Sequence, residues 1–596
     1  MVDAAEEKGG SPIEADVIVV GGGNAGFSAA LAAAERGRSV VILERGVEQE
    51  AGGNSFYTAG ATRVAHNGLD DLRDVIEPDD RHPITEVPAY SRQDYLSDLA
   101  KVTGGRNDPE LSEILVDEAL AAVRWLRGHG LRYRLMYERQ AYLRDDGRYS
   151  FWGGLHIGNV DGGQGLMRDH RSAAARLGID IRYGHRGVEL VVEDGRVAGV
   201  FVVDPEGRRV TARAESVVIA AGGFEANPDL RREHLGEGWQ RAKVRGTPLN
   251  TGDMILAALS VGADRGGDWS SCHSVAWDAF MPDNESNREL TNRLTRGSYQ
   301  LGIVVNNKGE RFIDEGSDFR NYTYAKYGRD ILFQPGAVAY QVFDATLRPM
   351  LRSEEYEMPG VSVATADSLE ELAETLGIEV EPFVRTVEEF NAAIDRSVGF
   401  DPTVKDGRAA KVEPPKSNWA MPIEKGPFSA YPVTCAITFT FGGVRGDVDG
   451  RALRPGGEPV PGLFVVGEAL GGLFSQNYPG GPAWRPAWSS DGARVPWPRF
   501  RTQVEQLEQR GPAINQACPP SQFTHQNQPP SQQCSGELRL SFVDSVPSDA
   551  ELLLQWAAAV PAVGDSTCHG LGILFSDQPY SASRMLSFRD MDDSAG

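Results

Sequence analysis

Three glycines near residue 20 have the spacing to cradle a pyrophosphate. Gly21, Gly23 and Gly26 form a G-x-G-x-x-G pattern between a β-branched run, 16–20, and an alanine-rich segment. Glycines there permit a tight turn and close backbone approach to phosphate, and a following helix directs free N–H groups at the anion. Glu44, 18 residues after Gly26, can accept hydrogen bonds from a ribose. The pattern predicts a dinucleotide site.

A second carboxylate, far downstream, favours FAD over NAD. Residues 462–467 resemble a buried strand, with Gly467 at its end and Glu468 immediately after it. A carboxylate there suits the ribitol hydroxyls of a flavin, a group that NAD lacks. Two glycine-rich segments, 220–223 and 471–481, accompany it. We therefore predict FAD as the cofactor.

Arginines form the third group that could do chemistry. A guanidinium is permanently charged and binds a carboxylate bidentately, which polarises the neighbouring C–H bond for proton removal. The formal net charge of the chain is -24, so a basic pocket would be a local exception. The arginines that could contribute are Arg63, Arg245, Arg293, Arg296 and Arg348.

These groups need a scaffold of parallel strands. The pattern predicts a βαβ unit at the start of the fold, further buried strands, a hairpin over 188–203, and helical stretches such as 367–396. The fold class is α/β, with a two-dinucleotide-binding (Rossmann-like) FAD domain and an inserted α+β substrate cap domain. The predicted segments are a disordered N-terminus (1–13), the first segment of the FAD-binding domain (14–261), the substrate cap domain (262–431), the second segment of the FAD-binding domain (432–481) and a poorly ordered tail (482–596).

Composition narrows the class of protein. The acidic net charge argues against nucleic acid as a partner. The five cysteines have no C-x-x-C spacing, so we expect no metal site. The sequence shows no signal-peptide pattern and no run of about 20 apolar residues, so we predict a cytoplasmic protein without a direct membrane span.

Several segments resemble one flavoprotein family, which includes fumarate reductase, succinate dehydrogenase and 3-ketosteroid dehydrogenase. The resemblance extends over roughly 14–481, and within the family it is greatest to tricarballylate dehydrogenases. The matching segments are 52–55, 245–248, 250–253, 268–273, 318–328, 437–443 and 477–481.

The resemblance implies noncovalent FAD, because no histidine stands beside Gly52 and Gly53. It also implies that FAD is held by residues from several separate segments. The predicted cofactor-binding residues are Gly21, Gly23, Asn24, Ala25, Gly26, Glu44, Arg45, Gly52, Gly53, Asn54, Ser55, Val188, Ala221, Gly222, Asp253, Gly467 and Glu468.

The resemblance also implies catalytic residues. It places the arginine that moves the proton at Arg348, a substrate-binding histidine at His273, and a relay arginine at Arg296 after a shift of one residue. Tyr478 stands where fumarate reductases carry a substrate arginine, and Phe439 stands near the position of their second histidine. These departures make fumarate or succinate an improbable substrate, and a Tyr-Pro-Gly at 478–480 is also found in 3-ketosteroid dehydrogenases.

The implied reaction is dehydrogenation of a carbon–carbon bond next to a carboxylate, with tricarballylate oxidised to cis-aconitate. The substrate would be a small di- or tricarboxylate, and electrons would pass to a separate acceptor protein, which could be membrane-linked. Alternatives are a 3-ketosteroid dehydrogenase-type or fumarate reductase-type flavoenzyme. A defective flavoprotein is a further alternative, because of the C-terminus.

The segment after Gly481 departs from the family pattern. There the Tyr-Pro-Gly-Gly segment runs into a helix reading Ser-Gly-Leu and small residues, whereas 482–496 is a Pro/Trp mixture. Deleting one base before Pro482 converts the family helix into the residues seen here. We predict that the reading frame slips at about Gly481, so that 482–596 lacks a packed core; the alternative is a genuine tail of this lineage.

Overall fold

The computed structural model describes residues 12–281 and 288–481. The predictions for residues 1–11 and for the tail, including the reading-frame slip, lie outside the described residues and stay predictions. The strands are β1 (Ile13–Val20), β2 (Val40–Leu43), β3 (Ala61–Thr62), β4 (Thr85–Glu86), β5 (Tyr133–Leu135), β6 (Ala141–Leu143), β7 (Tyr149–Phe151), β8 (Ile157–Asn159), β9 (Asp180–Arg182), β10 (Arg186–Glu193), β11 (Arg196–Val203), β12 (Arg209–Ile219), β13 (Lys243–Val244), β14 (Arg265–Asp278), β15 (Ile303–Asn306), β16 (Val338–Phe343), β17 (Ala364–Ala366), β18 (Phe428–Val444), β19 (Arg451–Leu453) and β20 (Pro459–Val465).

The α-helices vary from single turns to twenty residues. They are α1 (Asn24–Ala34), α2 (Gly53–Tyr57), α3 (Arg92–Thr103), α4 (Pro109–Gly128), α5 (Tyr137–Gln140), α6 (Gly162–Arg176), α7 (Pro228–Leu230), α8 (Asp253–Ser260), α9 (Tyr324–Leu332), α10 (Ser353–Tyr356), α11 (Leu369–Leu376) and α12 (Val380–Ala392). None of the helices in the described ranges is both long and apolar enough to cross a membrane.

A largely parallel sheet carries the predicted dinucleotide unit. Among the described residues it has eight strands, in the order β10-β11-β12-β1-β2-β9, with β20 and β19 joined through β12. Strands β9, β2, β1, β12 and β20 run parallel, and their buried β-branched and aliphatic residues form its core. The carboxyl ends of these strands therefore meet at one edge, where ligands bind in open α/β sheets.

The predicted strands occur, with small differences at their ends. β1 begins at Ile13, so the last residue of the segment predicted to be disordered already pairs with β12. The predicted hairpin is the antiparallel pair β10–β11, and Asp194 and Gly195 form its turn with positive φ. The predicted helical stretch 367–396 is two helices, because Gly377 ends α11 in a left-handed conformation.

A second sheet lies in the middle of the chain. Its six strands, counted within the described ranges, follow the order β13-β18-β16-β15, with β14 and β17 also paired to β18. It crosses both predicted limits of the cap domain, because β13 precedes residue 262 and β18 continues past residue 431. The predicted mixture of α-helices and β-sheets is thus present, while the cap domain as a separate unit stays a prediction.

A bulge in this sheet changes the direction of one backbone segment. His273 pairs with Phe439, but the next residue, Ser274, pairs with Ile437, so Thr438 is an extra residue on β18. A bulge leaves such a residue without a ladder partner and redirects it. The freed carbonyl of Thr438 accepts a hydrogen bond from Asn54 on α2, at 2.7 Å, which joins the second sheet to the dinucleotide-binding end of the molecule.

An ion pair without solvent exposure stabilises the second sheet. Arg296 Nη2 lies 2.6 Å from Asp278 Oδ2 at the end of β14, and both side chains are 0% exposed. The same guanidinium donates to the backbone carbonyls of Arg293 and Thr295. Removing one member of such a pair leaves an uncompensated buried charge.

We predict that Arg296→Met lowers the free energy of unfolding by about 3–5 kcal/mol, because Asp278 loses its buried counter-charge. Arg293→Met, at an exposed position three residues earlier, should change it by no more than about 0.5 kcal/mol. Urea denaturation of the two variants beside the unchanged protein measures this. Equal effects of the two substitutions would contradict a structural role for the Arg296–Asp278 pair.

Candidate functional site

Close backbone packing shapes the first end of the site. Gly21 follows β1 with φ +111°, and a methyl group there would lie 2.3 Å from the carbonyl oxygen of Ala220. A methyl group at Gly26 would lie 1.9 Å from the carbonyl oxygen of Gly21. The turn therefore requires glycine at both positions, and α1 begins at Asn24 with its N-terminus facing the cavity. This arrangement fits a pyrophosphate.

A carboxylate closes the end of β2. The buried Glu44 accepts the backbone N–H groups of Gly22 at 2.9 Å and Gly46 at 2.6 Å. Burial raises the pKa of Glu44 above its usual value, and the backbone N–H groups of Gly46, Gly22 and Gly52 oppose that rise. The carboxylate is thus fixed in place at the position predicted for a ribose.

Residues from distant segments line the same cavity. Arg45 donates to Thr251 Oγ1 at 2.6 Å, and Ser55 Oγ accepts the backbone N–H of Asn24 at 2.9 Å. Glu468 Oε1 accepts the backbone N–H of Thr440 at 2.9 Å. The predicted cofactor residues that line the cavity are Gly21, Gly23, Asn24, Ala25, Glu44, Arg45, Gly53, Asn54, Ser55, Ala221, Gly222, Asp253, Gly467 and Glu468.

Arginines line the other end of the cavity. Arg139, Arg245 and Arg320 reach it from three different regions of the chain. Arg245 Nη1 donates to Thr438 Oγ1 at 3.1 Å, while its buried Nε has no hydrogen-bond partner among the described atoms. In the same region of the structure, the buried Nε and Nη1 of Arg320 also lack a hydrogen-bond partner among those atoms. The guanidinium groups thus keep donors available for a ligand.

One carboxylate holds the arginines together. Arg320, Arg352 and Arg139 place an Nη1 atom 3.5, 3.7 and 3.9 Å from Glu355 Oε1, and the Glu355 side chain is 0% exposed. Burial alone would raise the pKa of Glu355, but Arg320, Arg352 and Arg139 hold it below its usual value. Burial and the neighbouring Arg320 lower the pKa of Arg352 to about 10, so it stays charged at neutral pH.

Aromatic rings surround the predicted substrate histidine. The His273 ring stacks on Phe439 with centroids 5.0 Å apart, and Tyr324 and Tyr478 meet its edge at 5.1 and 5.0 Å. Burial and the charge of Arg245 lower the pKa of His273 well below its usual value. His273 is therefore neutral, and its buried Nδ1 has no hydrogen-bond partner among the described atoms.

Comparison with known proteins shows the family to which the chain belongs. The model of a family described as FAD binding domain (FAD_binding_2) matches residues 16–483. The chain belongs to this family. The prediction of FAD as the cofactor is thereby confirmed, and the glycine turn, Glu44 and Glu468 are the groups that would hold its pyrophosphate, ribose and ribitol.

The curated relatives are oxidoreductases. The chain is 27% identical over 500 residues to the NADH:fumarate oxidoreductase of Klebsiella pneumoniae, covering 80% of this chain but only 47% of that protein. It is 28% identical to a fumarate reductase (cytochrome) of Shewanella frigidimarina, covering 78% and 74%. It is also 27% identical to a 3-oxosteroid 1-dehydrogenase of Mycolicibacterium smegmatis, covering 78% and 94%.

A solved structure supports the same fold. The open conformation of a flavocytochrome c3 fumarate reductase matches with a TM-score of 0.59 and 26% identity, over 81% of this chain and 77% of that one. A 3-ketosteroid Δ1-dehydrogenase of Sterolibacterium denitrificans matches in fold with a TM-score of 0.62, at 21% identity and over 81% and 98% of the two chains.

Two predicted catalytic residues lie in the cavity and two do not. His273 and Tyr478 line it. Arg348 is exposed on a short 3₁₀ turn outside the lining, where its Nη1 reaches Ser429 Oγ at 3.4 Å. Arg296 lies in the buried ion pair with Asp278. The guanidinium of Arg348 thus lies outside the cavity lining, and its proton-moving role stays a prediction.

Three of the predicted cofactor residues lie next to the cavity lining and are not part of it. Gly26 packs against Gly21, and Gly52 begins α2 beside Met167. Val188 lies at an irregularity in the β10–β11 pairing, where its neighbour Gly187 lines the cavity. These three residues are outside the lining, so their effect on the cofactor would be indirect.

Sequence reasoning missed Arg139, Arg320 and Glu355, which all line the cavity. Arg320 lies within the family-like segment 318–328, which was a signal that could have identified it. Arg139 and Glu355 lie in segments without a recognisable motif, and only the fold brings them together. Of the other arginines proposed from the sequence, Arg63 donates to the carbonyl of Gly480 at 3.0 Å, outside the lining.

We predict that Gly26→Ala loses most of its bound FAD, because the added methyl group would displace the carbonyl of Gly21 and thereby the phosphate turn. Gly128→Ala, at the end of α4 where a methyl group meets nothing within 4 Å, is the matched control and should retain FAD. The ratio of flavin absorbance to protein after purification measures both. Stoichiometric flavin in Gly26→Ala would show that the phosphate turn has been assigned wrongly.

Proposed function

We propose that the chain is an FAD-dependent dehydrogenase that oxidises a carbon–carbon bond next to a carboxylate, with tricarballylate as the substrate and cis-aconitate as the product. The observation that carries this proposal is the set of three arginines, Arg139, Arg245 and Arg320, in the cavity that also contains the cofactor residues. A buried guanidinium recognises a carboxylate through charge and paired N–H donors. A small polycarboxylate supplies several such groups.

The chain's own residues would bind and polarise this substrate. Arg245 and Arg320 have buried N–H donors without a partner among the described atoms. These donors can bind the carboxylate oxygens of the substrate. Neutral His273 and the Tyr478 phenol lie on the same wall of the cavity. They can position the substrate by hydrogen bonds to its carboxylate oxygens. When bound, FAD accepts two electrons and one hydrogen from the substrate, so the second hydrogen must leave as a proton.

We assign the movement of that proton to Arg320. It combines a place in the cavity lining with an Nη1 atom 3.5 Å from Glu355, so a proton could pass between the substrate carbon and this carboxylate. An arginine is an unusual proton carrier, since its reference pKa is above about 12. The neighbouring Glu355 carboxylate gives the proton a second group to which it can pass, and the Arg320 side chain is only 11% exposed.

A 3-ketosteroid dehydrogenase is the second candidate. The rings of Phe439, Tyr324 and Tyr478 give the cavity an apolar wall, and a tyrosine hydroxyl can bind a ketone oxygen. Against it, a neutral steroid would leave the unpartnered N–H donors of Arg245 and Arg320 without an acceptor. Buried donors without an acceptor are costly, so a carboxylate is the better fit.

The electron acceptor is proposed to be a separate protein, which could be membrane-linked. Within the described stretches of the chain, no cluster of three or more His, Cys, Asp or Glu side chains could hold a metal ion. Cys272 and Cys435 are both buried and free. We also keep a cytoplasmic location as a proposal.

We predict that tricarballylate bleaches the FAD absorbance of the anaerobic protein, while succinate and a 3-ketosteroid do so far more slowly. Bleaching by the steroid alone would favour the second candidate. A protein that purifies without yellow colour would instead support the alternative of a defective flavoprotein.

Arg320→Lys should retain FAD and lose about 10²–10⁴-fold of the bleaching rate, the range typical for loss of a proton-transfer group. Lysine keeps the charge but not the planar pair of donors. Arg348→Lys, the same change at an exposed arginine, should bleach at a nearly unchanged rate. If Arg348→Lys is the slow variant, the proton-moving role returns to Arg348.

A further inference from the structure

Two carboxyl groups meet at the edge of the FAD cavity, where Glu468 lines the cavity and Glu225 lies outside the lining. Glu225 follows β12 and Glu468 follows β20, and these neighbouring strands run parallel, with Ile219 beside Val465. A methyl group at Gly223 would lie 2.1 Å from Glu468 Oε1 and 2.8 Å from Glu225 Oε2. Glycine at this position therefore leaves the space in which the two side chains approach each other.

The hydrogen bonds around the pair leave one oxygen without a donor. Glu225 Oε1 accepts from Asn54 Nδ2 at 2.7 Å and from Asn250 Nδ2 at 2.6 Å. Glu225 Oε2 is fully buried and has no donor among the described atoms, yet it is within hydrogen-bonding reach of the Glu468 carboxyl. Two ionised carboxylates can only accept, so a bond between them requires a proton.

The surroundings of the pair favour that proton. Burial, and next to it the charge of Glu468, raise the pKa of Glu225 well above its usual value. Cys272 on β14 is also near the group: burial raises the pKa of its thiol well above the usual range, and Glu225 adds a smaller contribution to that rise. Arg245 is connected to the pair through Thr438, whose hydroxyl accepts from Arg245 and whose carbonyl accepts from Asn54. The neighbours from α2 and β18, Asn54 and Thr440, are uncharged.

We propose that Glu225 and Glu468 form one proton-binding site, with a single proton held between Glu225 Oε2 and the Glu468 carboxylate. Glu225 is then a positioning residue. In its neutral form it donates to Glu468, which is also held by the backbone N–H of Thr440, and so directs the remaining lone pairs of Glu468 into the FAD cavity. The proton comes from solvent, and no redox step is involved.

Glu225→Gln tests this proposal, because its amide copies the neutral acid. The carbonyl can accept from Asn54 and Asn250, and the NH₂ group can donate to Glu468. FAD affinity in this variant should stay within about threefold of the unchanged protein. Glu225→Leu lacks the donor and should weaken FAD binding by about tenfold or more, the loss expected when a hydrogen bond to a charged group is removed.

The dependence of stability on pH supplies a second readout. Since the folded chain keeps a proton that the unfolded chain releases above the usual pKa of 4.5, stability should fall as pH rises from that value up to the raised pKa of the pair. This contribution should disappear in Glu225→Gln. Glu374→Gln, an exposed glutamate on α11, is the matched control and should keep it.

Infrared spectroscopy at neutral pH detects the proton directly. The unchanged protein should show the C=O stretch of a buried protonated carboxyl, which is missing in Glu225→Gln and present in Glu374→Gln. Absence of this band, or loss of FAD from Glu225→Gln as severe as from Glu225→Leu, would overturn the proposal. None of these measurements uses a substrate, so failure of the tricarballylate assignment would leave them unaffected.

Discussion

Close approach between backbones is the constraint on which the rest of the structure depends. The parallel strands β1, β12 and β20 end side by side, and the chain leaving each of them passes within contact distance of its neighbours. A single extra carbon at Gly21, Gly26 or Gly223 would overlap a neighbouring backbone or side chain. The cofactor cavity, the approach of the carboxyl pair and the seating of α1 on the sheet all rely on this lack of side chains.

Local patterns were enough to predict the cofactor and the positions proposed to hold it. The glycine turn, Glu44 and Glu468 each follow the carboxyl end of a buried strand, so the strand pattern and the motif identified the same positions. FAD is confirmed as the cofactor, and the mixed α/β fold as the scaffold. Here the interactions that define the function lie within a few residues of the strands that position them.

The substrate end could not be predicted in the same way. Arg139 lies on α5, Arg245 follows β13, and Arg320 precedes α9, so their meeting depends on how the second sheet packs against the first. Aligning one arginine by a nearby motif led to Arg348, which the fold leaves in solvent. Arg296 has the right residue type and is buried, but Asp278 already satisfies its charge. Residue type and spacing do not reveal whether an arginine has a partner.

The loose contacts around Glu355 have an energetic consequence. Three guanidinium groups share Glu355 at 3.5–3.9 Å, beyond the length of a good hydrogen bond, and Arg139 also lies 2.7 Å from Glu354. Mutual repulsion among the cations is therefore only partly relieved in the free protein. A bound anion reduces the repulsion that remains among the guanidinium groups. This reduction contributes to the affinity of the site for anions. Even anions that cannot be oxidised should then raise the melting temperature, since any ligand that binds only the folded state stabilises it.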